Sequence, residues 1–255
     1  MTEETERSLP KVEDSFGLKE EWDSIEKILT QVIPVYDKTN RYISLGTDLK
    51  VRSEGLSLLL SHLKDEEAAS VLDVGAGPGR MTQLLTSLSA SQGMDNRVQM
   101  FMMDALKPMM IVATKRNKEA QGFLGVYENL PLQDGSFCSA MGGFAIRDSK
   151  NLVTALSEVR RVLKQNGYFL IVDLSRPESK LKDLLVSAYW LVLAPFIAFV
   201  AAGRVGLKFG ALYATYKRLP RKKQFVNLLW SMGFEVVDQR FRMMDGVCII
   251  LLRKK

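Results

Sequence analysis

A turn with three glycines, framed by two acidic residues, is the first stretch of this sequence whose residue types could do chemistry. The stretch VLDVGAGPGR at 71–80 places Asp73 at the end of a buried strand, two residues before the first glycine, Gly75. Glycines at such a turn let a ligand lie against the backbone, and the helix that follows offers free N–H groups. Asp104 ends the next predicted strand, where its carboxylate can accept hydrogen bonds from both hydroxyls of a ribose. The spacing therefore predicts a nucleoside-binding site.

The acid before the glycines helps to decide which nucleoside ligand the turn binds. The glycines fall at 75, 77 and 79, which departs from the GxGxxG spacing of dinucleotide-binding turns. A carboxylate at Asp73 attracts a cationic ligand, so it suits the ammonium and sulfonium groups of S-adenosylmethionine and suits a pyrophosphate poorly. We therefore favour S-adenosylmethionine over NAD as the ligand. A structural strand–turn–helix corner that binds nothing is the alternative.

The elements that must position these residues alternate along the chain. Strands are predicted at 70–75, 97–104, 122–127, 136–144, 167–175, 234–241 and 247–254. Helices are predicted at 22–33, about 50–63, from the glycine turn to 88, 108 to about 120, 151–167 and 222–232. The first two helices form an N-terminal cover, and the last two strands form a closing hairpin. Strands alternating with helices predict an α/β fold with a doubly wound, mostly parallel, seven-stranded sheet.

Composition indicates one globular domain with a charged tail. The 255 residues contain 47% hydrophobic and 25% charged residues, which are average values for a globular protein. Residues 1–21 are charged and poor in apolar side chains, so we expect a tail at 1–21 and one domain over 22–255. Two distant cysteines and a single histidine exclude a disulfide scaffold and a Cys/His zinc site, and we expect no metal. The start of the sequence resembles no secretory signal, which favours a cytoplasmic location.

Charge is unevenly distributed along the chain. From Arg176 onward there are 15 Lys and Arg residues against 5 Asp and Glu, whereas the first 175 residues have 20 against 24. A basic C-terminal third indicates an anionic partner, which could be a membrane surface, a nucleic acid or a phosphorylated substrate. No module that combines aromatic and basic residues is present in the sequence, so we expect no nucleic acid.

An uncharged stretch precedes most of these basic residues. Residues Leu184–Gly203 carry no charge, and twenty helical residues reach about 30 Å, the thickness of a bilayer core. A single span there would place the last strands on the wrong side of the membrane. We predict instead a broken pair of helices that forms an apolar lid over the active site at about 180–220, with membrane contact through 184–223. A core helix pair with a solvated basic face and a homodimer interface are the alternatives.

Four sequence stretches resemble the motifs of one known family. They are YDKTNRYISLG with Arg52 at 36–52, VLDVGAGPG, ENLPLQDGSF at 128–137, and GFAIRDSKNLVTALSEVRRVLKQNGYFLIVDLSRP at 143–177. These stretches are similar to those of the ubiquinone/menaquinone biosynthesis C-methyltransferases, a family of class I S-adenosylmethionine-dependent methyltransferases. The resemblance runs from Tyr36 to the end of the sequence. Its first and fourth stretches are the most specific to the family.

The resemblance implies a Rossmann-like methyltransferase fold and, with the analysis of the glycine turn, assigns residues to two roles. The residues assigned to the cofactor are Asp73, Gly75, Ala76, Gly77, Asp104, Ala105, Tyr127, Glu128 and Gly143. The residues assigned to catalysis are Arg147, Asp148, Asp37 and Tyr36. The last two would lie on a helix that covers the ligand. Val126 and Tyr127 replace the family's Asn/Asp–Ala pair that contacts adenine, and Asp148 replaces its Asn.

Arg147 and Asp148 follow the fourth predicted strand, at the carboxyl edge of the sheet where such folds bind ligands. There Arg147 could stabilise a phenolate, and Asp148 could hold that phenolate or a water. A surface ion pair that caps the next helix is the alternative.

The resemblance implies C-methylation of the ring of a demethylmenaquinone- or ubiquinone-type lipid quinol, with S-adenosylmethionine as cofactor. We expect this reaction at the inner surface of a membrane, on the cytoplasmic side. One alternative is methylation of another apolar small molecule, such as a sterol or a polyketide. Another is a non-catalytic, membrane-associated binding protein that keeps the methyltransferase fold.

Overall fold

A seven-stranded sheet lies at the centre of the protein, in a computed structural model that describes residues 31–255. The strands are β1 (Ala69–Val74), β2 (Val98–Asp104), β3 (Gln121–Leu124), β4 (Phe137–Gly143), β5 (Leu163–Leu174), β6 (Phe234–Arg242) and β7 (Val247–Lys254). The α-helices are α1 (Tyr36–Ile43), α2 (Asp48–His62), α3 (Arg80–Ser91), α4 (Lys107–Arg116), α5 (Leu152–Val162), α6 (Lys180–Ala188), α7 (Ala194–Ala202), α8 (Ala211–Arg218) and α9 (Lys222–Ser231). The predicted tail at 1–21 and almost all of the predicted helix at 22–33 lie outside the described residues.

The order of the strands confirms the predicted fold class. The order is β3-β2-β1-β4-β5-β7-β6, and the first five of these strands pair in parallel. β7 runs antiparallel to both of its neighbours, as the predicted closing hairpin requires. The direction of winding reverses between β1 and β4, and ligands of open α/β sheets bind outside the carboxyl ends of the strands at such a point.

Both faces of the sheet are buried, which explains the continuous apolar runs in its central strands. Along β5, Leu170 and Val172 belong to one apolar cluster, whereas Phe169 and Ile171 belong to another. Successive side chains of a strand point to opposite faces, so these two clusters lie on opposite sides of the sheet. Helices α2, α3, α6 and α7 contribute to the first cluster, and α5 and α9 contribute to the second.

The predicted helix at 151–167 is wrong in its last turn. Helix α5 ends at Val162, and β5 begins at Leu163, which is fully buried and pairs with Phe137 of β4. Asn166 then adopts a positive φ of 62°, a conformation that ends the helical path. The apolar period continues through Leu163, but the pairing of that residue with a neighbouring strand outweighs its helical periodicity.

The apolar stretch forms a helix that is less broken than predicted. A π-helical turn at Tyr189–Leu193 joins α6 to α7, and the helix continues past Pro195 to Ala202. Gly203, with a φ of 63°, ends it and starts a 3₁₀ segment over Gly203–Gly210. By length and composition alone, the helical stretch Lys180–Arg218 could cross a membrane, since its mean hydropathy reaches 2.2. Only 33% of its most apolar window is buried in the protein, so much of this surface is exposed.

The 3₁₀ segment packs so closely on α7 that one glycine is required. A Cβ atom on Gly206 would overlap the carbonyl group of Ala198. We therefore expect Gly206→Ala to lower the free energy of unfolding by about 1–3 kcal/mol, as overpacked sites do. A urea titration measures this. The matched control is Gly210→Ala, whose Cβ would only touch Pro195 at 3.8 Å; equal losses in the two variants would contradict the tight contact.

Candidate functional site

A large cavity lies at the carboxyl ends of β1, β2 and β4. It encloses about 1000 Å³ of empty space, counted with its open mouth, which is enough for a cofactor. The predicted residues in its wall are Gly75, Ala76, Gly77, Asp104, Ala105, Tyr127, Glu128, Gly143, Tyr36, Asp37 and Asp148. The structure therefore brings together every residue assigned to the cofactor except Asp73.

The glycine turn provides a backbone surface for a ligand. Gly75 and Gly77 have φ values of 67° and 53°, a region that side chains other than glycine rarely adopt. A Cβ on Gly75 would collide with Ala145 and Tyr127 at 2.8 Å, whereas a Cβ on Gly77 would meet no atom within 4 Å. The turn is thus packed behind Gly75 and open at Gly77, so that a ligand could approach the backbone there.

Asp104 is held in one orientation by the backbone around it. One carboxylate oxygen accepts a hydrogen bond from the N–H of Gly77 at 2.8 Å, and the other accepts one from the N–H of Leu106, also at 2.8 Å. Burial raises the pKa of Asp104 above its ordinary value, and the backbone hydrogen bonds oppose that rise. Each oxygen keeps a second lone pair for a ligand hydroxyl. This geometry fits the predicted contact with a ribose.

Asp73 lies behind the glycine turn and not in the wall of the cavity. It is fully buried, and one oxygen accepts hydrogen bonds from the backbone N–H of Thr82 at 3.1 Å and from its hydroxyl at 2.7 Å. Burial raises the pKa of Asp73 to about 6, although the bonds from Thr82 oppose this. This oxygen ties the start of α3 to the end of β1. The other oxygen is buried and has no hydrogen-bond partner among the described residues, so attraction of a cationic ligand by Asp73 stays a prediction.

The side of the cavity formed by β2 and the turn at 125–128 is apolar. Met103, Leu106, Met109 and Val126 line it, and the hydroxyl of Tyr127 donates to the carbonyl of Val74. Such a wall suits the flat face of a purine base. Together, the open glycine turn, the fixed carboxylate of Asp104 and this apolar wall fit S-adenosylmethionine. The turn would hold its methionine part, Asp104 its ribose and the apolar wall its adenine.

A second cavity of about 780 Å³ adjoins the first. The two cavities share six wall residues, which are Tyr36, Asn40, Asp48, Arg52, Phe144 and Asp148. Most of the remaining wall of the second cavity is apolar, and the predicted lid contributes Trp190, Phe209 and Leu212 to it. The lid therefore covers a space next to the cofactor cavity, and that space suits an apolar molecule.

Two polar side chains from the N-terminal helices point to the wall shared by the cavities. Burial raises the pKa of the Tyr36 phenol above its ordinary value, although the charges of Arg147 and Arg52 oppose the rise. Tyr36 therefore keeps its proton at neutral pH and can donate a hydrogen bond. The Arg52 guanidinium donates to the carbonyl of Gly143 at 3.3 Å and lies 4.7 Å from the centre of the Phe144 ring.

Asp148 and Asp48 are the two acids in the wall shared by the cavities, and Asp148 is the one that lies beside Arg147. Its side chain is only 16% exposed, and one of its oxygens lies 3.5 Å from the Arg147 guanidinium. Burial raises the pKa of Asp148 to about 6, the charge of Arg147 lowers it, and the charge of Asp173 raises it. A carboxylate with such a pKa is mostly ionised at pH 7 and still basic enough to accept a proton.

Arg147 is buried in a network that the sequence did not indicate. Its guanidinium donates to Asp173 of β5 at 2.7 Å, and its side chain is 5% exposed. Burial would lower the pKa of Arg147, but the carboxylates of Asp148 and Asp173 raise it above its ordinary value. Arg147 therefore stays charged and cannot act as a base. The alternative of a surface ion pair that caps α5 does not fit, because Arg147 is buried, Asp148 is mostly buried, and the cap of α5 is Asn151.

The buried Arg147–Asp173 ion pair should contribute to the free energy of unfolding. We expect Asp173→Ala to lower the free energy of unfolding by about 3–5 kcal/mol, because it leaves a buried guanidinium without its main partner. Thermal or urea unfolding measures the loss. The double variant Arg147→Met/Asp173→Ala removes both charges and should recover much of it. A single variant as stable as the starting protein would contradict the buried pair.

Asp37 is placed at the mouth of the first cavity and not at the wall shared by the two. Its carboxylate accepts hydrogen bonds from Arg80 of α3 at 2.9 Å and from Arg116 of α4. Both ion pairs are partly exposed, at about a fifth to a third of each side chain. These ion pairs join α1 to α3 and α4 at the edge of the cavity. Asp37 is therefore placed to hold α1 over the cavity and not to reach the reacting atoms.

The sequence analysis did not assign Arg52 and Asp173 to the site. The sequence did contain a signal for Arg52. Arg52 shares the apolar face of α2 with Leu56 and Leu59, and a charged side chain on a buried face is rare unless it has a partner or a function. Asp173 interrupts the apolar run YFLIVDLS of β5 in the same way. The ion pairs of Asp37 with α3 and α4 carried no such signal, since they join residues far apart in sequence.

Comparisons with known proteins identify the family of the chain. The model of the ubiE/COQ5 methyltransferase family matches residues 16–255 of the chain. A demethylmenaquinone methyltransferase of Chlorobaculum tepidum is 26% identical, with 84% of this chain and 86% of that protein covered. A ubiquinone/menaquinone biosynthesis C-methyltransferase of Geobacter sulfurreducens is 28% identical, with 88% of this chain and 86% of that protein covered.

Solved structures support the fold. A crystal structure of an S-adenosylmethionine-dependent methyltransferase from Thermotoga maritima aligns with a TM-score of 0.56 at 20% identity, and covers 89% of this chain and 100% of its own. One from Aquifex aeolicus aligns with a TM-score of 0.54 at 16% identity, and covers 78% of this chain and 89% of its own. From the family match and the cavity that fits the cofactor, the chain belongs to the ubiE/COQ5 methyltransferase family and is an S-adenosylmethionine-dependent methyltransferase.

Proposed function

We propose that the protein C-methylates the ring of a lipid quinol of the demethylmenaquinone or ubiquinone type. The observation that carries this proposal is the second, apolar cavity, which adjoins the cofactor cavity and has Asp148 and Tyr36 in the wall that both share. A ring with an isoprenoid tail matches the lining of Trp190, Phe209 and Leu212. The names of the relatives, a demethylmenaquinone methyltransferase among them, favour the same substrate class.

Four polar residues have tasks in this reaction: Asp148, Tyr36 and Arg52 of the shared wall, and Arg147 in the wall of the second cavity. S-adenosylmethionine, when bound, supplies the methyl group. Asp148 accepts the phenolic proton of the quinol, which makes the ring carbon electron-rich. Arg52 and Arg147 stabilise the negative charge that forms on the ring oxygen, and buried cations do so more strongly than cations in water. Tyr36 donates a hydrogen bond that orients the ring.

The methylated ring carbon must then lose its hydrogen as a proton for the ring to regain aromaticity. Asp148 returns the first proton to the ring oxygen and takes the second from this carbon. One proton is released in total, and no oxidant or reductant is needed. Much of the rate arises from holding the ring against the cofactor and from excluding water, which the lid does by covering the second cavity.

The substrate class favours a place of action at a membrane surface. A polyprenyl tail is insoluble in water, and the second cavity is too small for a long tail, so most of it must stay in a lipid phase. We propose that the protein works on the cytoplasmic face of the membrane that holds the quinol.

Labelled S-adenosylmethionine tests the proposal. The protein is incubated with the labelled cofactor and, in separate reactions, with reduced demethylmenaquinone in detergent, with a sterol and with total RNA. We expect label on a ring carbon of the quinol only, with a mass gain of one methylene. Label in the sterol would favour the alternative of another apolar small molecule, and label in RNA would overturn the proposal. Cofactor binding without any product would favour a binding protein.

A further inference from the structure

A row of large apolar side chains along α6, the π-helical turn and α7 faces away from the protein. We call this surface the apolar ridge. Its members are each between 44% and 69% exposed, and they are Leu181, Leu184, Leu185, Leu191, Val192, Leu193, Phe196, Phe199 and Val200. A contiguous apolar surface of this kind is uncommon on a soluble monomer and marks an interaction site.

The opposite side of the same helix is packed into the protein. Val186, Trp190, Ala194 and Ala198 are 8% exposed or less and belong to the apolar cluster on one face of the sheet. If the helix crossed a membrane, these residues would have to leave the core. The ridge can therefore contact a bilayer only while the helix lies along its surface, with about 35 Å of helix over 180–202 in contact.

Positive charge flanks the ridge at both ends. Lys180 and Lys182 lie at the start of α6, where Lys182 pairs with Asp245 at 2.8 Å, and Arg204 and Lys208 follow α7 directly. Residues 180–223 contain nine Lys and Arg residues and one acid, Asp183. That acid is buried, and Arg176 and Arg221 bind it.

A second copy of the chain would fit this surface poorly. In a two-fold dimer with antiparallel ridges, the cationic start of one ridge would face the cationic end of the other, and the like charges would repel. Anionic lipid headgroups complement both ends at once, and long Lys and Arg side chains can reach them while the apolar side chains enter the acyl region.

We propose that the apolar ridge docks parallel to the surface of a bilayer that contains anionic lipids. This docking rests on the proposed function, because a lipid quinol substrate requires the enzyme to reach a bilayer. The bilayer is then the partner of the candidate site. Trp190, on the inner side of the docked helix, lines the second cavity together with Phe209 and Lys208. Docking therefore brings the cavity for the quinol ring next to the lipid that holds the quinol tail.

Flotation of the full chain with vesicles tests the docking. The vesicles contain phosphatidylcholine alone or with 30% phosphatidylglycerol, and the variant is Phe196→Glu/Val200→Glu, at two outward positions. We expect at least tenfold stronger binding to the anionic vesicles, and at least tenfold weaker binding of the variant. The matched control is Leu124→Glu on β3, 52% exposed and outside the ridge, which should bind like the starting protein. Equal binding of the two Glu variants, or a dimer that only Phe196→Glu/Val200→Glu dissociates, would overturn the docking.

A second measurement separates failure of the docking from failure of the proposed function. Methylation is measured with a quinol that has a short, water-soluble tail and with a long-tailed quinol embedded in anionic vesicles. We expect Phe196→Glu/Val200→Glu to retain its rate on the short quinol and to lose at least tenfold on the embedded one. An equal rate on the embedded quinol would overturn the docking. If neither quinol is methylated by the starting protein, the proposed function fails, and flotation alone decides the docking.

Discussion

We expect Asp148→Asn to lower kcat by a factor of about 10²–10⁴, the usual contribution of a positioned acid or base. The amide keeps the size of the side chain and its place in the wall shared by the two cavities, but it cannot accept the proton from the quinol. The dissociation constant for the cofactor should change by no more than about threefold, because the acid acts on the substrate. Steady-state kinetics and calorimetry measure the two quantities separately.

The pH dependence of kcat distinguishes a base from a structural acid. The pKa of Asp148 is raised to about 6, mainly by burial, so the carboxylate is the main form above that pH. For the starting protein, kcat should therefore rise with pH up to about 6 and then level off. In Asp148→Asn this acid limb should disappear. Asp65→Asn, at an exposed position after α2, is the matched control and should keep the limb.

The result against this role would be equally clear. If Asp148→Asn keeps the acid limb and loses less than tenfold in kcat, a water takes the proton. Asp148 would then only contribute charge next to Arg147. The family pattern has Asn at this position, so the carboxylate is a departure whose effect this variant isolates.

The second large effect is expected on the affinity of the protein for the cofactor. Asp104→Ala should weaken cofactor binding by about 100-fold, because hydrogen bonds to a charged group are each worth about 1.5–3 kcal/mol. The change removes the acceptor for the ribose and leaves the backbone N–H groups of Gly77 and Leu106 without theirs. Calorimetric titration with S-adenosylmethionine measures the loss.

Two further variants make this result specific. Asp104→Asn keeps one acceptor oxygen and should lose less affinity than the alanine variant. Asp134→Ala removes an acid whose side chain is 79% exposed, pairs with Arg161 and does not line the cavity, and the cofactor affinity of this variant should be unchanged. If Asp104→Ala, still folded by circular dichroism, bound the cofactor as tightly as Asp134→Ala, the assigned ribose contact would be wrong.

Most of the fold could be predicted from the sequence because interior parallel strands are continuous apolar runs between glycines and acids. The stretches around Val71 and Ile171 showed this directly. The start of β5 could not be predicted, since Leu163 fits the helical period of α5 and only its pairing with Phe137 decides otherwise. Local periodicity does not contain that information.

The sequence predicts site residues that follow strands, because those positions lie at one edge of the sheet. It does not predict the hydrogen-bond and ion-pair partners that come from distant elements. Asp104 ends β2 and Asp148 lies five residues after β4, and both line the first cavity. Asp73 precedes the glycines, but its hydrogen bonds to Thr82 of α3, a residue nine positions later, could not be read from the sequence. Asp173 meets Arg147 only because β4 and β5 are neighbours in the sheet.

The position of β7 has a consequence for biosynthesis. β7 is the last strand along the chain, yet it lies between β5 and β6. More than 70 residues separate the end of β5 from the start of β7, and a ribosome adding about 5–20 residues per second needs several seconds for them. The α6–α7 helix is made in this interval, before Val247 and Ile249, which belong to the same apolar cluster as its inner side. A chaperone or a bilayer can therefore meet this apolar helix of the nascent chain before the sheet is complete.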